Sequence, residues 1–315
     1  MSERPLFDIG DDRLARAAWS RIAESEDQAA RLLLTEVEPA PALQWLYQHD
    51  GGGPPPGMPP SPVWQQARDR WCPRLLNLDP RRDIDVLSAR SGRLLVPGDQ
   101  EWPAGVQDLE DPPWCLWVVG QRPLDQLGGG VALVGSRAST SYGERICADI
   151  GFALAERGIT VVSGGAFGID AAAHRAALAA EGPVLAVMAG GLDRYYPRAN
   201  ADLLAAVAAG GAVVAEVPPG AAPMRSRFLR RNRLIAALAA GTVVVEAAWR
   251  SGALSTAAHA AQLLRPVGAV PGPVTSMASG GCHRLIRDGV ATCVTGTEEV
   301  LELISPLGAV AATEP

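Results

Sequence analysis

Residues 131–143 read Val131-Ala-Leu-Val-Gly135-Ser-Arg137-Ala-Ser139-Thr-Ser-Tyr142-Gly143, and residues 159–174 read Ile159-Thr-Val-Val-Ser163-Gly164-Gly165-Ala-Phe-Gly168-Ile-Asp170-Ala-Ala-Ala-His174. In each, a short aliphatic run passes through a glycine turn into a helical pattern. Aliphatic runs without polar alternation suit strands buried on both faces of a sheet. After the first turn, Ile146, Ile150, Ala153 and Leu154 recur at the spacing of one helix face, and Ser141 with Glu144 has the spacing of a capping box. The unit returns at Val184 to Met188, Ala212 to Ala215 and Thr242 to Val245, and Val267 opens a sixth strand. Such repetition with right-handed crossovers predicts an α/β fold, a doubly wound and mostly parallel sheet. Ligands of such sheets bind at the carboxyl ends of the strands, so the turns are where chemistry is expected.

Outward from this core the pattern loosens. Val63 to Gly120 begins helically and closes with Leu94-Leu-Val-Pro-Gly98 and Pro113-Trp-Cys-Leu-Trp-Val-Val119, which read as strands leading into the sheet. Asp12 to about Tyr47 reads as short helices, followed by Gly51-Gly-Gly-Pro-Pro-Pro-Gly-Met-Pro-Pro-Ser-Pro62, a linker. The expected division is a small N-terminal helical, SAM-like domain with its linker at 1–62 and an extended Rossmann-like domain at 63–304 with a motif core at 129–300. A tail at 305–315, with no winged-helix domain, is expected to follow.

The 315 residues hold 28 Lys+Arg against 34 Asp+Glu, a net charge of −6, and every basic residue is arginine. A lysine-free chain excludes Schiff-base lysines, a pyridoxal phosphate attachment and the lysine of a Walker A loop. Any phosphate must be held by arginine, hydroxyls and backbone amides. The charge is uneven: residues 1–128 carry 13 Arg and 20 acids (−7), residues 129–300 carry 15 and 12 (+3), and the last fifteen add −2. Five cysteines form no CxxC pair and four histidines no HxxxH or HExxH spacing, so neither disulfides, a metal nor another cofactor is expected. No apolar run approaches the roughly 20 residues that cross a bilayer, and the acidic start is unlike a signal peptide. A cytoplasmic protein without membrane contact follows as the expectation.

Five turns offer anion-binding chemistry. The first, Gly135 to Gly143, lacks the G-x-G-x-x-G of a dinucleotide site but places Ser136, Arg137, Ser139 and Tyr142 at a helix start. The second sets Ser163, Gly164, Gly165 and Gly168 where backbone can approach a phosphate, with Asp170 bracing the loop. His174 lies one turn on and could share a hydrogen bond with Asp170; a structural role is the simpler reading. The third, Gly190-Gly191-Leu-Asp193-Arg-Tyr-Tyr196-Pro-Arg-Ala-Asn200, brings glycines and aromatic rings to the same edge.

The fourth turn feeds Arg225, Arg227, Arg230, Arg231 and Arg233, interleaved with Phe228 and Asn232. Were 225–233 wholly helical, the guanidiniums would spread around the axis, so a loop ending at a helix start near Arg231 is expected. The fifth turn adds Ser251 and Gly252.

In order, the chain carries GSR-x-S-x-x-YG at 135–143, SGGA-x-GIDAAAH at 163–174, GGLD-x-x-YP-x-x-N at 190–200, PPG-x-x-P at 218–223, F-x-x-RNR at 228–233, VVEA with SG-x-L-x-T at 244–256, and VPG at 270–272. This set resembles the DNA-processing protein A (DprA/Smf) family. The resemblance implies an extended Rossmann-like fold and a non-enzymatic protein that binds single-stranded DNA, protects it, and loads RecA as a homodimer in natural transformation and recombination. On it, the phosphate track comprises Gly135, Ser136, Arg137, Ser139, Tyr142, Ser163, Gly164, Gly165, Gly168, Gly190, Gly191, Ser251, Gly252 and the arginines of 225–233 with Asn232. Bases lie over Tyr196 or Phe228, and Asp170, His174, Asp193 and Asn200 are structural. The chain departs from the family pattern in having Leu229 where a proline is usual, no lysine, and no recognisable helix-hairpin-helix near its start. The alternative readings are a phosphoribohydrolase-like enzyme, for which Glu246 would be the candidate carboxylate although no PGG-x-GT run accompanies it, and a mononucleotide sensor.

Overall fold

The computed structural model describes residues 5–48 and 53–305. The first glycines of the expected linker and all but the first residue of the expected tail lie outside the described residues. The chain begins with helices α1 (Asp12–Ile22), α2 (Gln28–Glu36), α3 (Pro39–Tyr47), α4 (Pro62–Trp71) and α5 (Pro80–Ser88). Strands β1 (Gly92–Leu95), β2 (Leu116–Gly120) and β3 (Gly130–Gly135) precede α6 (Ser141–Glu156), β4 (Val161–Ser163), α7 (Ile169–Ala179), β5 (Val184–Met188), α8 (Ala201–Gly210) and β6 (Ala212–Ala215). The remainder comprises α9 (Arg225–Ala237), β7 (Ala239–Glu246), α10 (Ala253–Gln262), β8 (Val267–Ala269), α11 (Gly280–Arg287), β9 (Thr292–Cys293) and α12 (Thr297–Ile304).

Among the described residues the strands form one sheet in the order β1-β2-β6-β5-β4-β3-β7-β8-β9. From β6 to β9 all neighbours are parallel, whereas β1 and β2 join antiparallel at one edge. Successive side chains of a strand face opposite sides, and β3 shows the consequence. Val131 and Leu133 pack with Ile150, Leu154, Ile169 and Val207 of α6, α7 and α8. Ala132 and Val134 pack with Leu234, Ala257 and Leu285 of α9, α10 and α11. Two apolar layers thus cover the sheet, which is the mostly parallel Rossmann-like architecture that the strand-turn-helix repeat predicts.

A third core lies in the N-terminal helices, where Trp19, Ile22, Leu33, Leu43 and Leu46 pack with Trp64, Ala67, Trp71, Leu75 and Leu78. Trp19 and Trp71 meet edge to face at 5.3 Å. This core runs beyond residue 62, because α4 buries its apolar face on α1 to α3 rather than on the sheet. The helical unit defined by packing therefore extends to Leu78. No helix among the described residues is long and apolar enough to cross a membrane.

Two local expectations change. The cap of α6 is Thr140, whose hydroxyl accepts from the Gly143 amide at 3.3 Å. Ser141 is already helical, and an N-cap needs extended backbone; Glu144 instead accepts from Ser139 Oγ at 2.7 Å. The arginine run does not wait for Arg231: α9 starts at Arg225, so all five arginines are helical and diverge around the axis.

Candidate functional site

Connections from β3 go to β4 on one side, and β7 flanks it on the other, so the strand order reverses between β3 and β7. A crevice opens at the carboxyl ends of such a pair. Here Gly135 and Glu246 are partners at those ends, and above them lies a cleft of about 740 Å³. Its walls come from all five turns and from one face of α9.

The first turn supplies Gly135, Ser136 and Arg137. It is fixed by backbone bonds from the Ser136 amide to the Glu246 carbonyl (2.7 Å) and from the Ile169 amide to the Ser136 carbonyl (3.2 Å). Gly168 permits that second bond. Its φ is +72°, and a Cβ there would collide with the Ser136 carbonyl, so only glycine fits at the start of α7. Arg137 is exposed and lies over the Phe228 ring, 4.7 Å from its centroid. Tyr196 of the third turn packs against the same Phe228 at 5.9 Å. Cations over ring faces are held by the ring quadrupole, so two rings and a guanidinium form one surface.

From α9 the cleft receives Arg225, Phe228, Arg231 and Asn232, and from the fifth turn Arg250, Ser251 and Gly252. Asn232 ties the two elements by donating to the Gly252 carbonyl at 3.2 Å. Arg137, Arg225 and Arg250 are exposed and make no ion pair among the described residues. Arg231 is different. It is buried and donates to the carbonyls of Gly164 (2.7 Å) and Val187. Burial pulls its pKa down to about 10 while Asp170 opposes the shift, which leaves it a cation at neutral pH. Asp170, the one carboxylate among the described residues lining the cleft, is itself buried and its pKa is raised by desolvation.

The other expected site residues lie around this cleft rather than in its walls. Gly164 and Gly165 form the strand-to-helix turn behind it, and Asn200 clamps that turn by donating to the carbonyls of Gly165 (3.0 Å) and Ala166 (3.1 Å). Ser163 is buried and donates to the Leu133 carbonyl at 2.7 Å. Gly190 and Gly191 are buried against the fourth turn, where the Gly191 amide reaches the Ala221 carbonyl at 2.9 Å. Asp193 holds that contact by accepting from the Gly220 amide. Tyr142 donates to the Pro271 carbonyl at 2.6 Å, and Ser139 is engaged with Glu144. The hydrogen bond considered between Asp170 and His174 does not form: Asp170 accepts from the Ala166 amide at 3.3 Å, and neither ring nitrogen of His174 has a partner among the described residues. Burial lowers the His174 pKa to about 3, so the ring is neutral.

Three of the α9 arginines leave the cleft altogether. Arg227 binds Glu24 of the helical unit through two bonds of 2.9 and 2.7 Å. Arg230 donates to the Ser25 carbonyl at 2.9 Å and pairs with Asp111. Arg233, almost wholly buried, pairs with Glu216 at 2.5 Å. Helical divergence explains the separation: positions 225, 228 and 232 share a face, and 227, 230 and 233 turn from it. Sequence reading missed Arg250 as a wall residue, although its place in the fifth glycine turn was a usable signal. Glu246 is buried and accepts from the Thr140 amide (2.9 Å) and hydroxyl (2.6 Å). Its carboxylate thereby braces the start of α6. No cluster of His, Cys, Asp and Glu able to hold a metal occurs among the described residues.

The arrangement is a preformed cationic cleft with aromatic rings at its mouth, suited to phosphates and to flat rings. Comparison with known sequences identifies relatives with the same ordered motifs. Residues 93–305 match the family described as DNA recombination-mediator protein A. Over 245 residues the chain is 49% identical to a DNA processing protein DprA of Mycobacterium tuberculosis, covering 74% of this chain and 63% of the relative. Protein Smf of Escherichia coli is 44% identical over 66% of this chain and 56% of its own length. The chain thus spans about six-tenths of the curated relatives it matches.

Among solved structures, DNA processing protein A of Streptococcus pneumoniae superposes with a TM-score of 0.68 at 34% identity, over 76% of this chain and 84% of that one. The Helicobacter pylori protein, whose structure concerns its single-stranded DNA binding mode, gives 0.62 at 28% identity over 68% and 96%.

Proposed function

This chain belongs to the DNA recombination-mediator protein A (DprA/Smf) family, and from that premise we propose that it binds single-stranded DNA in the cleft between β3 and β7. One observation carries the reading: Arg137, Arg225, Arg231 and Arg250 surround a cleft whose one carboxylate among the described residues, Asp170, is desolvated, and Tyr196 and Phe228 stand at its edge. Guanidiniums recognise phosphate oxygens in a planar fork, and bases of any sequence stack on aromatic rings. The Helicobacter pylori relative, which binds single-stranded DNA, supports the assignment.

The phosphate path starts at Gly135, Ser136 and Arg137, passes Arg225 and reaches Ser251 and Gly252. The enclosed glycine turns at 163–168 and 190–191 act by shaping it. The protein acts by binding rather than by catalysis, and the enclosure of Glu246 beside Thr140 supports this. Family membership supports the further proposals of a cytoplasmic homodimer that protects incoming DNA and passes it to RecA in transformation and recombination.

Titration of labelled oligo-dT and labelled mononucleotide against wild type and Arg137→Ala across a salt series tests the reading. Oligo-dT affinity is expected to fall steeply with salt, because neutralised phosphates release counterions, and to be much weaker in the variant. Absent binding, or binding indifferent to salt, refutes it. Tight mononucleotide binding alone would favour the sensor, and release of free base from AMP would favour the enzyme.

A further inference from the structure

The fifth turn continues beyond the cleft. Ala248 and Arg250 line it, and between them Trp249 projects with 53% of its surface exposed. The Arg284 guanidinium carbon lies 4.9 Å from this ring's centroid and that of Arg287 lies 5.9 Å away, both from the last turn of α11. Arg287 also touches Asp288 at 3.1 Å; Arg284 makes no ion pair among the described residues. The arrangement is held firmly from below. The Gly281 amide donates to the Ala247 carbonyl at 2.6 Å, and a Cβ on Gly281 would press on the carbonyls of Ala247 and Ala248 at 2.7 and 2.8 Å. His283 Nε2 meets the Gly272 carbonyl at 2.9 Å, fixing the same helix from another side.

A large ring left more than half exposed, with two cations beside it and a cationic cleft at its root, has the composition of a stacking platform on a phosphate path. The alternative course along α9 is closed, since Arg227 and Arg230 are occupied by Glu24 and Asp111. We propose that Trp249, with Arg284 and Arg287, forms a second nucleotide-binding site that receives a base and its flanking phosphates as the single strand leaves the cleft past Arg250. This rests on the reading of the cleft as a single-stranded DNA site. Trp249 is the base platform; Arg284 and Arg287 hold the ring and present donors to the phosphates.

The test compares a short oligo-dT that fills only the cleft with a longer one that runs past it, on wild type, Trp249→Ala, Trp249→Phe and Arg284→Gln. Trp249→Ala is expected to weaken the longer oligonucleotide about tenfold, the loss of one stacked base, and to leave the short one unchanged. Trp249→Phe restores most of the affinity, and Arg284→Gln reduces the salt dependence for the longer strand only. An oligonucleotide carrying 5-iododeoxyuridine is expected to crosslink to the peptide containing Trp249. The inference is overturned if Trp249→Ala holds the longer strand as wild type does while Arg137→Ala abolishes binding of both, an outcome that leaves the cleft reading standing. Failure of wild type to bind either strand overturns both.

Discussion

Arg231 lies directly behind Gly164: its guanidinium donates to the Gly164 carbonyl at 2.7 Å, and a Cβ at position 164 would approach both of its terminal nitrogens at 2.6 and 2.7 Å. The same Cβ would meet the Asp170 carboxylate at 2.7 Å. One absent methyl group thus lets a buried cation pin the second turn. Gly164→Ala must displace Arg231 or bend the turn, and a cost of about 1–3 kcal/mol is expected for such overpacking. Urea denaturation checks this; an unchanged midpoint would show that the guanidinium moves aside freely.

Arginines at the cleft divide by burial, and their substitutions should divide in the same way. Arg137→Ala removes an exposed cation that rests on the Phe228 ring, so stability should change by less than about 1 kcal/mol while the salt slope of oligo-dT binding drops by about 0.7 for each phosphate that is no longer neutralised. Arg231→Ala leaves the Gly164 and Val187 carbonyls without their donor in the interior and should destabilise by about 2–5 kcal/mol. Equal stability of the two variants would contradict the division.

His174 supplies a pH dependence. Its ring charges at about pH 6.5 in the unfolded chain and only near pH 3 in the folded one. Between those values the unfolded state binds one more proton, so stability falls as pH falls, by about 1.4 kcal/mol per unit. Asp170 opposes this, because burial raises its pKa and the folded state takes up a proton first. The difference between wild type and His174→Leu isolates the histidine: the variant should lose less stability from about pH 7 to about pH 5. Parallel pH profiles in chemical denaturation would refute the assignment.

Glu24 and Arg227 join the helical unit to α9 by a two-bond ion pair at 2.7 and 2.9 Å, with both side chains partly exposed. For a pair screened by solvent in this way, Glu24→Gln should cost no more than about 1 kcal/mol. Released Arg227 adds a cation near the cleft, so oligo-dT binding should tighten modestly at low salt. Weaker binding in Glu24→Gln would show that the pair positions α9 instead of restraining an arginine.

Much of the core is legible along the chain. Aliphatic runs at 131–134, 184–188, 212–215 and 242–245 become central strands because a strand covered on both faces needs no polar alternation. Antiparallel β1 and β2 are foreshadowed only by their apolar content, since their pairing depends on a distant partner, β6. The helical unit reads too short in the sequence because α4 follows the proline run yet finds its apolar partners in α1 to α3. The arginine run misleads more deeply. Five cations in nine residues read best as a loop that gathers them before a helix start near Arg231, whereas the helix starts at Arg225 and points its cations in several directions.

The sequence alone determined the strand-turn-helix repeat, the family membership carried by its ordered motifs, and the rule that any phosphate here is met without lysine. Local periodicity and residue type encode these directly. Only the tertiary structure decided which arginines face the cleft, because that depends on helical phase and on acids far away in the chain. Glu24 and Asp111 take Arg227 and Arg230, Glu216 takes Arg233, and the backbone of β5 and of the turn after β4 takes Arg231. What remains open at the cleft is Arg137 of the first turn, Arg250 of the fifth and Arg225 at the start of α9, which meet only because the sheet reverses its order between β3 and β7.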